Sequence, residues 1–426
     1  MAAHWPIVGG ALHCERVPLS AIAAAVGTPT YVYSSAGIRE ACRQLDAALA
    51  GIPHRLHYAM KANGSLGVLG VVRGCGAGID CVSGGELYRA RQAGFRGADT
   101  FVGGVGKNED EIAASIAAEV ACITAESDDE LRLISRVAVA AGATAPVAIR
   151  VNPEVAVEAF HEYVKTGQSG DKFGIPFDAA LGSAQLAASL PGLRLVGLHQ
   201  HLGSQLFGMA ALAEATGKLL GLLARLRAES PAAAAALATL DLGGGIGVRY
   251  EDEDEPDLAE LGRIAREAHA ASGLEICLEP GRFLVAGAGA LLTRVLYHKR
   301  SGARTFVVTD AGMNDLLRPA LYDAYHRVEA VHASPLHERV EVVGPVCESG
   351  DFLALDREIG AVRPGDLLTL QTAGAYGFVM SSNYNARPRA AEVLVDGARW
   401  GVIRERERHE DLVRGERVTP EWSTIA

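Results

Sequence analysis

The stretch Ala121–Ala141, ACITAESDDELRLISRVAVAA, holds two textures back to back. ACITA (Ala121–Ala125) is short, apolar and partly β-branched, as a strand buried on both faces requires. DDELRLISRVAVAA has the longer helical pattern, and Ser127 or Asp128 in front of it can cap the first free N–H groups. The same alternation recurs from about Pro29 to Leu278. TYVY (Thr30–Tyr33) precedes SSAGIREACRQLDAAL, HYAMKA precedes the stretch around Leu66–Gly74, AGID precedes SGGELYRARQAG, and TFVGG precedes NEDEIAASIAAE. VAIRVNP, LVGLHQHLG and LATLDLGGG read as further buried strands, and the run ends at LEICLEPG. Eight or nine βα units in roughly 250 residues fit a closed (β/α)₈ barrel better than a doubly wound sheet. In such a barrel the chemistry sits at the C-terminal ends of the strands.

After Pro280 the texture becomes strand-like: VLYHKR, RTFVVTDAG, RVEVVGPV, LLTLQTAGAY and AAEVLVDGARWGVIRER, with turn signals such as DGAR between runs. The expectation is an α/β chain of two domains. One is a TIM-like barrel over residues 30–278, and the other a mostly β domain, sandwich- or barrel-like, built from residues 1–29 and 279–426. The acidic run EDEDEPD (Glu251–Asp257) reads as a solvated loop.

Composition narrows the function classes. Forty Lys and Arg against 51 Asp and Glu leave a formal charge of −11, which argues against general nucleic-acid binding. Seven scattered cysteines with no CxxC pair are neither a zinc site nor a disulfide framework, and imply a reducing, cytoplasmic compartment. No signal-peptide pattern and no long uncharged apolar run is visible.

Several residues have the types and positions that chemistry needs. Lys61, in YAMKAN, ends an apolar run and would project into the barrel mouth, where burial lowers an amine's pKa and frees it to attack an aldehyde. The glycines Gly243, Gly244 and Gly245 in LDLGGGIG follow a strand, and their amides can close on a phosphate; a glycine run is also the mark of a plain turn. Glu279 and Arg282 in LEPGRF pair a carboxylate that can hold a pyridinium nitrogen protonated with a guanidinium that can clamp a phosphate or a substrate carboxylate, or form a surface ion pair. GLHQHLGSQ offers His201 for stacking on an aromatic ring and Ser204 for a phosphate. His199 and His201 could also ligate a metal, but no carboxylate or third histidine lies near in sequence, so no metal is expected. In GPVCESGD, Cys347 beside Glu348 is either a small buried residue or a proton donor.

Jointly these stretches resemble one family. YAMKAN, IDCVSGGELYRA, IRVNPEV, HEYVKTG with KFGI, GLHQHLGSQ, DLGGGIG, EPGRF, DAGMNDLLRPALYDAYH, GPVCESGDFLA and GAYGFVMSSNYNARPRAAEVLV occur in order from about Tyr31 to Glu416. They are similar to the alanine-racemase-like, fold type III pyridoxal-phosphate decarboxylases, and RPALYDAYH with CESGD points to the branch acting on diaminopimelate. The resemblance implies pyridoxal 5'-phosphate held as a Schiff base on Lys61, with Asp80 behind it and Arg150 beside it. It implies His201 on the ring face, Ser204 and the amides of Gly243 to Gly245 on the phosphate, and Glu279 on the ring nitrogen. Arg282, Arg318 and Tyr322 match binders of substrate carboxylates, Arg282 and Tyr376 match contacts to both cofactor and substrate, and Glu348 matches a further substrate contact. Cys347 and Glu348 match residues supplied by the second subunit of a homodimer with shared active sites, Cys347 as proton donor. The implied reaction turns meso-2,6-diaminopimelate into L-lysine and carbon dioxide, the last step of lysine biosynthesis. Alternatives are a decarboxylase of ornithine, arginine or carrier-bound glutamate, a racemase on the same barrel, and a non-catalytic regulatory homologue. Two places depart from the family pattern: AFHEYVKTG, with Phe160 and Lys165, and Gln200 between the two histidines.

Overall fold

A computed structural model describes residues 4–156 and 172–423. The AFHEYVKTG segment, with Phe160 and Lys165, lies outside the described residues.

Eight parallel strands close into the barrel: His54–Ala59, Gly78–Cys81, Thr100–Val102, Cys122–Ala125, Ala145–Asn152, Leu193–Gln200, Thr239–Asp241 and Glu275–Leu278. Closure comes from Glu275–Leu278 pairing with His54–Ala59, and Cys122–Ala125 pairing with Ala145–Asn152. Ile175–Pro176 adds a short pairing at the end of Ala145–Asn152. The strands are short and buried because helices cover the outside and side chains fill the inside. Phe101, Cys122, Ala148, Val196 and Cys277 form a separate interior cluster, with Phe101 stacked 3.7 Å from the buried His57 ring. At the start of the helix Asp128–Ala140, Ser127 caps by accepting from the Glu130 N–H.

One sequence-based assignment is corrected. The local pattern makes Thr30–Ser34 the first barrel strand, yet it pairs antiparallel with Gly289–Ser301 and parallel with Ala391–Asp396. It therefore sits in the centre of the second sheet, and the barrel begins at His54. The helix Ser35–Ala48 that follows still packs on the barrel's last helix, Leu258–Ser272. A strand followed by a helix looks the same in sequence whichever sheet receives the strand.

The second sheet runs Phe352–Gly360, His337–Val343, Arg304–Thr309, Gly289–Ser301, Thr30–Ser34, Ala391–Asp396, Arg399–Arg404, with Leu367–Leu370 joining Gly289–Ser301 to Val328–Ala330. The N-terminal residues pack here: Trp5, Leu12, Leu19 and Ile22 lie against Val32, Leu292 and Val393. Each such aliphatic side chain contributes about 1.5–3 kcal/mol when removed from water. Glu392 is buried and accepts from Tyr33 Oη at 2.8 Å while pairing with Arg404, which ties the central strand to its neighbours. Among the described residues no helix is long and apolar enough to cross a membrane.

The two units meet at a close backbone approach. A Cβ on Gly374 would lie 1.9 Å from the Val285 carbonyl oxygen, and Gly374 O accepts from Asn63 Nδ2 at 2.9 Å. Gly374→Ala is expected to lower unfolding stability by about 1–3 kcal/mol through overpacking. Gly221→Ala, in the helix Ala210–Glu229 with nothing within 4 Å of the new Cβ, is expected to be neutral or to stabilise by up to about 1 kcal/mol. Urea denaturation of both variants checks the contrast.

Candidate active site

The C-terminal ends of the barrel strands open into a cavity of about 560 Å³, roofed by the second domain. Lys61, His201, Ser204, Arg282, Arg318, Tyr322 and Tyr376 all line it. Asp80, Arg150, Gly243 to Gly245 and Glu279 lie at the same strand ends. Cys347 and Glu348 do not line this cavity. They are exposed on a loop, where the Cys347 N–H donates to Asn385 Oδ1 at 2.7 Å and Tyr384 Oη meets Glu348 Oε2 at 3.5 Å.

Lys61 sits in a single turn, Met60–Ala62, directly after the strand His54–Ala59. The turn is fixed from three sides. Tyr58 Oη donates to the Asn63 carbonyl, Asn63 holds Gly374, and the Tyr376 N–H donates to the Ala62 carbonyl at 2.8 Å. The side chain is exposed to the cavity that it lines, and protein atoms crowd its amine. The expectation that its pKa is lowered is corrected. Burial does act downward, but the Tyr376 phenol, Asp80 and Glu279 together outweigh it, and the net direction is upward. A strand-end lysine brought into a barrel mouth meets the acids that the other strand ends deliver there.

The three glycines permit an approach that no other residue would. A Cβ on Gly243 would lie 2.3 Å from Gln200 O, on Gly244 2.0 Å from Glu279 O, and on Gly245 2.3 Å from Gly203 O. Gly243 and Gly245 also adopt φ of +77° and +91°. Not all three amides point to an anion, contrary to the sequence reading. The Gly243 N–H donates to Asp241 Oδ1 at 2.8 Å and the Gly244 N–H to His201 Nδ1 at 3.1 Å. Among the described residues, the Gly245 N–H has no protein acceptor.

That Gly244 bond sets the His201 tautomer: Nδ1 accepts, so Nε2 carries the hydrogen of a neutral ring. Burial, followed by Lys61 and Arg150, pushes its pKa well below the usual histidine value. Glu279 is held the other way. Burial raises it, but His199, whose Nε2 lies 3.0 Å from Glu279 Oε2, brings it well below the ordinary carboxylate range. His199, Asp241 and Glu279 place ligand-type atoms within 4.8 Å of one another, all buried. The two carboxylates come from neighbouring strand ends, which sequence proximity could not reveal. Burial keeps Asp241 and Asp80 far above the normal carboxyl pKa, with Glu279 adding repulsion in both cases. Arg150 is anchored by Glu126 at 2.9 Å and lies over the Phe173 ring.

Sequence reasoning missed two residues here. Tyr250, five positions after the glycine run, lies buried between Arg282 and Arg318. Burial would raise its phenol, but the two arginines bring it below its ordinary value. His326, from the quoted DAYH, is fully buried against Arg318. Phe352 to Leu355, on a strand not picked out in sequence, also face the cavity. An aromatic residue beside an acidic loop reads as loop chemistry, and the only signal for His326 was its place in a matched motif.

The residues present fit pyridoxal phosphate. The glycine approach, Ser204 and the spare Gly245 N–H suit a phosphate; neutral His201 suits a ring face; ionised Glu279 suits a ring nitrogen that must keep a proton. Asp80 Oδ1 is buried with no hydrogen-bond partner among the described residues, as expected of an atom that awaits one.

Comparisons with known proteins place the chain in a family. The family described as "Pyridoxal-dependent decarboxylase, pyridoxal binding domain" matches residues 35–286. A diaminopimelate decarboxylase of Neisseria meningitidis serogroup B is 46% identical over 95% of this chain and 97% of its own length. One from Pseudomonas aeruginosa is 47% identical over 96% and 98%. The crystal structure of diaminopimelate decarboxylase from Helicobacter pylori complexed with L-lysine superposes with a TM-score of 0.89, at 36% identity, covering 93% of this chain and 98% of that one. The chain belongs to the diaminopimelate decarboxylase branch of the pyridoxal-dependent decarboxylases.

Proposed function

We propose that the protein decarboxylates meso-2,6-diaminopimelate at one end, yielding L-lysine and carbon dioxide. The observation that carries the substrate is the pair of buried arginines, Arg282 and Arg318, on the cavity wall. Among the described residues neither forms an ion pair with a carboxylate, so the site presents two positive charges to its ligand. A substrate ending in a bare amine would leave them unbalanced in a low-dielectric pocket. The reading as a decarboxylase of ornithine or arginine is disfavoured for that reason.

Pyridoxal phosphate, when bound, supplies an aldehyde for the amine and a protonated ring that accepts the electron pair released with carbon dioxide. The protein's own groups hold and direct it. Lys61 provides the amine that anchors the cofactor, and Ser204 with the Gly245 N–H binds its phosphate. Glu279, kept ionised by His199, retains a proton at the ring nitrogen. His201 covers one ring face in its neutral form, and Tyr376 with Tyr322 closes the substrate side. Arg318 offers a two-pronged hold on the carboxylate that is retained.

We further propose a homodimer whose active sites are shared, in the cytoplasm. Supporting this, Cys347 and Glu348 are exposed and outside their own subunit's cavity, and the cysteines are unpaired. Cys347 of the partner subunit would hold the proton delivered to the carbon that loses carbon dioxide.

Carbon dioxide release across a panel of amino acids should single out meso-diaminopimelate, and equal turnover of ornithine or arginine would sink the substrate assignment. Lys61→Ala should abolish the visible absorbance of bound cofactor, and borohydride should fix cofactor to Lys61 and no other lysine. Arg318→Ala should retain that absorbance while losing about 1.5–3 kcal/mol of substrate binding, roughly one to two orders of magnitude in KM. Mixing inactive Lys61→Ala with inactive Cys347→Ala subunits should restore activity, because some heterodimers then contain one intact site. Failure to recover after confirmed subunit exchange would exclude shared sites.

A further inference from the structure

We infer that Tyr250 and His326 are positioning residues, which hold Arg282 and Arg318 as one carboxylate clamp without neutralising them. The inference rests on the reading of these arginines as carboxylate binders.

Tyr250 Oη accepts from an Arg282 terminal nitrogen at 2.8 Å, and the Arg318 guanidinium carbon lies 4.6 Å from the centre of the Tyr250 ring. One phenol therefore touches both cations, Arg282 through its oxygen and Arg318 through its π face. His326 Nδ1 lies 2.9 Å from the Gln371 carbonyl, which can only accept, so Nδ1 carries the hydrogen. His326 Nε2 is then a lone pair, and it accepts from Arg318 at 2.9 Å. Burial, with Arg318 next, brings the His326 pKa down to about 3, so this arrangement persists across the working pH range. The His326 ring meets Tyr250 edge-on, 5.5 Å between centres at 86°, which locks the two supports together.

The chemical type of these supports matters. Arg282 is held by Ser204 Oγ at 3.1 Å and by Tyr250 Oη; Arg318 is held by an imidazole nitrogen and an aromatic face. None is a carboxylate. An aspartate or glutamate at either place would orient the arginines as well, but would quench their charge and cancel the demand for an acidic ligand. Supports without a carboxylate fix direction and leave the charge to the substrate.

The test uses the holoenzyme and two inhibitors of meso-diaminopimelate turnover. L-Lysine carries the retained carboxylate, and cadaverine is the same chain without it. Their inhibition constants differ in the natural protein by the strength of the clamp. Tyr250→Phe removes one oxygen and keeps the ring; His326→Leu removes the acceptor; His326→Gln can restore an oxygen acceptor to Arg318. The first two should weaken L-lysine and raise KM by about tenfold, the loss typical of one charge-assisted hydrogen bond. The constant for cadaverine should stay unchanged, kcat should fall less than KM rises, and His326→Gln should recover most of the discrimination. Cofactor absorbance at limiting pyridoxal phosphate separates a clamp for substrate from one for the cofactor's phosphate, and should be retained. If Arg318→Ala collapses the ratio between the two inhibitors while Tyr250→Phe and His326→Leu leave it intact, the positioning role is wrong and the carboxylate reading stands. If Arg318→Ala leaves the ratio intact, the carboxylate reading itself falls, and the inference with it. Equal weakening of both inhibitors by Tyr250→Phe would show general loosening and would also overturn the inference. Should His326→Leu fail to fold, Tyr250→Phe and His326→Gln decide between these outcomes by themselves.

Discussion

The close passage of the backbone at Gly243 to Gly245 governs both the fold and the chemistry of this protein. Three strand ends, at Gln200, Asp241 and Leu278, converge so tightly that any Cβ on these glycines would collide with a carbonyl oxygen. That convergence places His201, Asp241 and Glu279 side by side. The Gly244 N–H then sets the His201 tautomer, and the Gly243 N–H engages Asp241. A larger residue anywhere in the run would push apart the strand ends that carry the site.

Electrostatics at the site follows from uneven solvation. The cavity end gathers one lysine, exposed to the cavity, with arginines and acids that are largely buried, and each acid settles into the state that burial and its neighbours together favour. Glu279 stays ionised beside His199, while Asp80 and Asp241, repelled by Glu279, are driven toward the neutral acid. The upward direction at Lys61 belongs to the same balance, and isolated burial gives the wrong sign for it.

Much of the barrel was legible because buried parallel strands leave uninterrupted apolar runs with helices between them. The polar residues just after those runs fell where barrel strands end, so Lys61, Arg150, His201 and Glu279 could be placed from pattern and resemblance together. Thr30–Ser34 could not be assigned to its sheet, since its partners lie hundreds of residues away and local texture carries no record of them. Tyr250 and His326 stayed hidden for a related reason. Their roles come from the arginines that the fold brings against them, at separations of 32 and 8 residues.

The placement of Thr30–Ser34 also bears on how the chain is made. This buried strand is synthesised before the barrel, yet its two neighbours, Gly289–Ser301 and Ala391–Asp396, are synthesised after it. At translation rates of roughly 5–20 residues per second, it waits on the order of ten seconds to a minute for its first hydrogen-bonding partner. Throughout that interval the whole barrel is translated behind an apolar segment, TYVYS, with both edges unpaired. An apolar strand with unpaired edges is the kind that pairs with the wrong chain, so this domain is open to misassembly until Gly289–Ser301 arrives.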